Sequence, residues 1–300
     1  MPTFKDLVDE VKSNLIGYTL RQDRITYIIN AGGISTTDTE ITIGSSNNLA
    51  KGVVEIDDEL LWIDSFDKTT STLNVAPNFG RGYMNTTPSP HSINSQLTIA
   101  PTFPRVNIKN SINDTINSLY PKLWSLATTS FTFNPVLTTY GLPDDCLEVV
   151  AISWQSVGPS KEWIPVKRWR FDPMANAAAF NTNSTITIHD YITPGRTVQV
   201  WYKMKPVTLS SNSEEFTDVT GLPDSCKDVV VLGSCYRLLS FLDAGRINLT
   251  SAEADSQDSK IPTSAGQSVA KFVYALYQQR LAEEQDRLNK LYPIKPHYIR

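Results

Sequence analysis

Phe4, Leu7, Val8, Val11 and Leu15 recur at helical spacing with Lys5, Asp6, Asp9, Glu10 and Lys12 between them, which predicts an amphipathic helix stopping near Gly17. The period then changes. Between 40 and 76 the β-branched runs 41–43, 53–56, 60–63 and 72–75 are separated by Asp, Asn, Ser and Gly, and Asp57-Asp58-Glu59 reads as a hairpin turn. A second helix is expected over 105–124, where Ile108, Ile112, Ile116, Leu119 and Leu123 mark one face and Pro121 should kink or end it. From 131 to 207 the runs 147–152, 163–169, 185–188 and 197–202 suffice for an antiparallel sheet or small sandwich. Helix returns over 224–245, with Val231, Cys235, Leu238 and Leu242 aligned. A last helix over 267–291 places Val269, Val273, Leu276, Leu281, Leu288 and Leu291 on one stripe.

None of these amphipathic helices can be buried alone, so helices far apart in sequence must meet. The expected class is α+β: a discontinuous helical bundle interrupted by two inserted antiparallel β-modules. The bundle would take 1–18, 104–127 and 221–292, the first β-module 20–102 and the second 128–218, with 293–300 as an extended tail. The segment Gly141-Leu142-Pro143-Asp144-Asp145-Cys146 returns as Gly221-Leu222-Pro223-Asp224-Ser225-Cys226. The flanks of the two copies differ in period, so Leu-Pro-Asp is read as a good start for two different elements, not as the trace of a duplication.

Composition narrows the function classes. The chain has 300 residues, 40% of them apolar, enough for one or two packed cores. Twenty-seven Lys and Arg against 31 Asp and Glu give a net charge of -4, which argues against a surface that binds by neutralising phosphates. The charge is unevenly spread: residues 38–68 hold eight acidic side chains and two lysines, whereas 267–300 hold six Lys and Arg against three acidic residues. Neither a secretory signal nor a membrane span is expected. Cys146, Cys226 and Cys235 match no zinc or redox spacing and are read as small core residues.

Sequence motifs for catalysis are missing. His91, His189 and His297 stand apart in sequence, and no phosphate loop, dinucleotide fingerprint or nucleophile elbow occurs. No catalytic residue, cofactor or metal is therefore assigned. The doublets Asp57-Asp58, Glu214-Glu215 and Glu283-Glu284 read as solvated charge, and His189-Asp190 as an exposed loop pair. Trp62, Trp163, Trp169 and Trp201 fall in strand-like segments, where a sugar-stacking platform competes with core packing.

Residues 53–99 carry the most specific pattern. A hairpin, the short run Leu73-Asn74-Val75, then Gly80-Arg81-Gly82, Thr86-Thr87 and His91 before a closing strand resemble a module of tailed-bacteriophage structural proteins. Asn85 stands where a glycine commonly precedes the threonines, and Asn is the substitute best able to hold a left-handed backbone. Leu119-Tyr120-Pro121-Lys122-Leu123-Trp124 and the charged last helix closing on Leu291-Tyr292-Pro293-Ile294 are similar to the head-to-tail adaptor (connector or neck) proteins.

That resemblance implies a non-enzymatic virion protein, made in the host cytoplasm, forming a ring of twelve copies beneath the portal. Its partners would be other copies of itself, the portal and tail, nozzle or neck proteins. Genomic DNA would pass transiently without specific binding, and no membrane would be involved. By analogy Tyr292, Pro293, Ile294, Lys295, Tyr298, Ile299 and Arg300 would dock the portal. Asp57, Asp58, Glu59, Asp64 and Asp67 would form an acidic tail- or lumen-facing unit. The competing expectation is a carbohydrate-binding or carbohydrate-cleaving tail component.

Overall fold

A computed structural model describes residues 1–19, 22–45, 49–158, 161–180, 182–240 and 265–293. The class is α+β. The described residues fall into two compact units, one drawn from Met1–Lys5, Asn113–Val230 and Ala275–Arg300, the other from Asp6–Ile112 and Val231–Tyr274.

The second of these contains most of α1 (Phe4–Thr19), six strands, the start of α2 (Arg105–Leu119), the end of α5 (Lys227–Leu239) and the start of α6 (Ala265–Leu291). The strands are β1 (Arg24–Tyr27), β2 (Glu40–Thr42), β3 (Gly52–Ile56), β4 (Glu59–Asp67), β5 (Thr72–Val75) and β6 (Gln96–Ile99), in the sheet order β1-β6-β3-β4-β5-β2. The two end strands meet: Ile28 bridges Ile43, the Ile29 N–H donates to the Thr42 carbonyl at 2.9 Å, and the Gly44 N–H donates to Tyr27 at 3.0 Å. The sheet thus closes on itself, and closure removes the free edges that an open sheet exposes. Ile28, Ile41, Ile43, Val54, Ile56, Leu61, Ile63 and Leu73 fill the interior, each fully buried.

Lys12 of α1 donates to Glu55 of β3 at 3.1 Å and lies 3.5 Å from Asp23, while Glu55 also accepts from the Arg105 N–H at the start of α2. The Arg105 side chain bonds Asp9 and Asp58, and Lys109 sits 2.8 Å from Asp58. These ion pairs tie the closed sheet to both helices. Burial pushes the Glu55 carboxyl up even against Lys12 and Arg105. In the same unit the Cys235 thiol of α5 approaches the Val11 carbonyl, Ser111 of α2 donates to Ser234 of α5 at 3.2 Å, and Tyr236 packs on Tyr274 of α6 at 5.0 Å.

The other unit carries β7 (Ser125–Thr132), β8 (Thr139–Leu142), β9 (Glu148–Gln155), β10 (Trp163–Pro165), β11 (Trp169–Asp172), α3 (Ala177–Phe180), β12 (Ser184–Ile188), β13 (Thr197–Met204) and α4 (Phe216–Thr220). Its strands form two antiparallel sheets, β10-β9-β13-β7 and β11-β12-β8, around a core that includes Leu142, Ile152, Trp169, Ile186, Val198, Val200 and Tyr202. The expected single run 163–169 is corrected here. It breaks after Pro165, so Trp163 and Trp169 stand in different sheets.

Two further expectations shift. Helix α2 ends at Leu119, before Pro121, and the stripe of α6 buries Val273, Tyr277, Leu281, Glu284 and Leu288 while Leu291 is exposed. Leu242 lies outside the described residues. The two Leu-Pro-Asp segments make the same turn, with Cys146 N–H donating to Pro143 at 3.0 Å and Cys226 N–H to Pro223 at 2.9 Å. One turn then enters β9 and the other α5.

Candidate functional site

The residues that carry the phage-like pattern converge on one buried carboxylate. Strands β3 and β4 are joined by the two-residue turn Asp57-Asp58, with Asp57 at φ 51, a left-handed conformation that Asp tolerates. Glu59 therefore begins β4 with its side chain turned inward and only 1% exposed. A buried carboxylate needs its lone pairs filled. Arg81 supplies Nε and Nη2 at 2.8 and 2.9 Å, the Gly82 and Ser89 N–H groups each donate at 3.0 Å, and His91 Nε2 lies at 2.9 Å.

Arg81 spends its remaining donors on the carbonyls of Ser35, Asp38 and Ser89, so all five N–H groups of the guanidinium are used. His91 is buried with a carboxylate at each ring nitrogen, Asp57 on Nδ1 and Glu59 on Nε2, both at 2.9 Å. Both nitrogens can donate only in the imidazolium. Burial alone would lower the His91 pKa, yet hydrogen bonds to Glu59 and Asp57 raise it. Burial likewise pushes Glu59 up, but the bonds from His91, Arg81, Ser89 and Gly82 outweigh it and hold the carboxyl at about 2.

The glycines and Asn85 let the loop take this path. A Cβ on Gly80 would lie 2.4 Å from the Ala76 carbonyl, and Asn85 holds φ 62, the left-handed conformation expected of it. Thr86 Oγ1 accepts from the Leu60 N–H at 3.0 Å and donates to the Tyr83 carbonyl at 2.9 Å. The clasp fixes residues 77–95, which present Phe79, Met84 and Ile93 to solvent, each about half exposed. With its charges mutually satisfied, the cluster is built to position this loop. Its output is a surface.

The predicted acidic unit is split by this geometry. Glu59 is inside the clasp, Asp58 is paired to Arg105 and Lys109, Asp57 holds His91 from the surface, and Asp64 and Asp67 are exposed. In the predicted docking set, Tyr292 is half-buried, packs against Trp124 in a tilted ring pair at 5.7 Å and donates its N–H to Leu288, while Pro293 is exposed. Ile294, Lys295, Tyr298, Ile299 and Arg300 lie outside the described residues.

The acidic doublets are engaged locally. Glu214 accepts from the Ser210 N–H and hydroxyl, Glu283 pairs with Arg280, and buried Glu284 accepts from Ser225 at 2.7 Å. Asp190 is occupied by the backbone of Lys167 and Arg168 and by the Arg168 guanidinium, which takes it away from any work with His189. Among the described residues no helix is long and apolar enough to cross a membrane, and no three His, Cys, Asp or Glu side chains are grouped to hold a metal.

Sequence reasoning missed the neighbours that complete the clasp, Ser35, Asp38 and Ser89, because they use backbone groups that carry no residue signature. No curated protein matches the chain. The family described as SU10 adaptor protein matches residues 91–293, about two thirds of the length, from His91 of the clasp through the whole second β-module to the end of α6. The chain belongs to the SU10 adaptor protein family.

Proposed function

We propose that this phage adaptor protein forms a ring beneath the portal, of twelve copies by the resemblance, joining the DNA-filled head to tail, nozzle or neck proteins. The observation that carries the reading is the family match across 91–293. A ring needs heterologous faces on each subunit, and exposed apolar side chains support this on both units: Phe79, Met84 and Ile93 on one, Val136, Leu137 and Tyr191 on the other. DNA would pass without specific contacts, as a chain of net charge -4 favours. The C-terminal segment from Pro293 docks the portal in this reading, with Tyr292 as its anchor on Trp124.

Electron microscopy of the full chain mixed with the portal protein of the same phage tests the assignment. A ring bound to portal is expected, and unbound subunits in that mixture would overturn it. Removing 293–300, which keeps the Tyr292–Trp124 contact, should leave a folded protein that fails to join portal. Normal joining by that variant would refute the docking role.

A further inference from the structure

We propose that the outer face of the sheet β10-β9-β13-β7 binds an extended carbohydrate chain containing acidic sugars. The site does not depend on ring assembly. Residues opposite one another in an antiparallel ladder share a face. Trp201 of β13 stands opposite Ala151 and Thr128, Gln199 opposite Ser153 and Ser130, and Trp163 of β10 opposite Gln155. The alternate residues Val198, Val200 and Tyr202 enter the core. Trp163 and Trp201 are thus turned outward together, 45% and 36% exposed, although core burial is the usual fate of tryptophan and is that of Trp169.

The two rings lie two strands and about four residues apart, ~16 Å at sheet spacing, a span of roughly three pyranose rings. Between them stand Ser153, Gln155 and Gln199, uncharged groups that both donate and accept hydrogen bonds. A protein-binding face would gather its aromatics into a closed apolar centre. Here apolar plates alternate with amides and hydroxyls, which complements a glycan, whose rings alternate apolar C–H faces with hydroxyl edges.

A second feature adjoins this face. Strand β10 covers only Ser153–Gln155 of β9. Beyond it a cavity of 240 Å³ opens, lined by residues 150–152 of β9, by 165–167 and by Trp169. Ala151, in its wall, is the cross-strand partner of Trp201. Such a volume accepts a single sugar ring against an apolar floor. Lys167 is the one charged residue in the lining, and the Glu148–Lys203 pair at the far end of the face neutralises itself at 2.7 Å. Asp190, which accepts from the Lys167 N–H, is neutralised by the Arg168 guanidinium at 2.9 Å, so the Lys167 ammonium is left to suit a carboxylate-bearing sugar in a hydroxyl-rich chain.

The test is titration calorimetry on the full chain with oligogalacturonate, an acidic glycan, and with neutral cello-oligosaccharides, together with tryptophan fluorescence. Binding of the acidic oligomer with a change in tryptophan emission is expected. Trp201→Ala should weaken it at least tenfold, Trp163→Ala on the edge strand should do likewise, and Lys167→Ala should abolish the preference for acidic over neutral chains. Circular dichroism establishes that each variant is folded, and edge-strand Trp163→Ala keeps the test intact if Trp201→Ala does not fold. Binding of neither oligomer would overturn the proposal. So would a change of assembly mass on Trp163→Ala with glycan affinity unaltered, which would assign the face to a protein contact.

Discussion

Acidification should open the clasp before it opens the rest of the first β-module. Glu59 is fully buried and its carboxyl is lowered from 4.5 to about 2. A depressed carboxyl contributes stability that is present above the unfolded value and is lost as pH falls through the folded one. Lowering the carboxyl to about 2 corresponds to roughly 3 kcal/mol, most of which is gone by pH ~2.5. His91 works in the opposite sense: its pKa is raised above 6.5, so its contribution is fully present below 6.5 and is lost as pH rises through the raised value. The clasp is therefore tightest between roughly pH 4.5 and 6.5. Hydrogen exchange of peptides covering 77–95, corrected for intrinsic rates, reads this directly, because the amides of Gly82 and Ser89 are bonded to Glu59. Their protection should fall by well over tenfold between pH ~5.5 and ~2.5. Glu59→Gln should start less protected and show a flatter acid limb. Protection unchanged within a factor of about two, or the same acid limb in Glu59→Gln, would refute the reasoning.

Two further outcomes follow from the same geometry. Gly33→Ala should destabilise the first β-module by ~1–3 kcal/mol in urea unfolding, because Gly33 sits at φ +84 and an added Cβ would fall 2.2 Å from the His91 carbonyl. The three buried cysteines should resist a thiol reagent in the folded protein and all react once it is unfolded. Burial pushes the thiols of Cys146, Cys226 and Cys235 up to about 12, aided by Asp145, Glu284 and Glu10 respectively, and native-state labelling of any of them would refute this.

Periodicity made the local elements legible, and long-range closure was not. Phe4, Leu7, Val8, Val11 and Leu15 encode α1 by their spacing alone, and all are buried. The closed first sheet depends on Ile28 meeting Ile43, a pairing made by ordinary β-formers with no marker of their partner. Strand β1 holds only four residues and was invisible for the same reason. The 163–169 run misleads because its apolar residues Trp163, Ile164, Val166 and Trp169 carry no mark of which sheet each joins, and the chain leaves one sheet after Pro165 and enters the other at Trp169. The clasp was legible only as a pattern of residue types. Gly80, Arg81, Gly82, Thr86 and His91 stand out together in the sequence, but which carboxylate gathers them depends on Glu59 being the inward residue of the hairpin. The family match begins at His91, so most of that motif lies outside it, while the second β-module, whose sequence offers only the Leu142-Pro143-Asp144 start toward the resemblance, lies wholly within it.

The acidic excess of residues 38–68 changes meaning once its partners are known. A carboxylate that holds a fold by ion pairing is unavailable to repel DNA at a surface, since its field is cancelled at short range. Glu55 is matched by Lys12, Asp58 by Arg105 and Lys109, and Glu59 by Arg81 and His91. All of these cations come from outside the acidic segment. The formal surplus therefore largely disappears within the unit, leaving exposed Asp38, Glu40, Asp64 and Asp67, with Asp57 shared with His91. In the proposed ring, a lumen role for this β-module would have to rest on these exposed carboxylates and not on Glu55, Asp58 or Glu59, whose charge is spent on holding the fold.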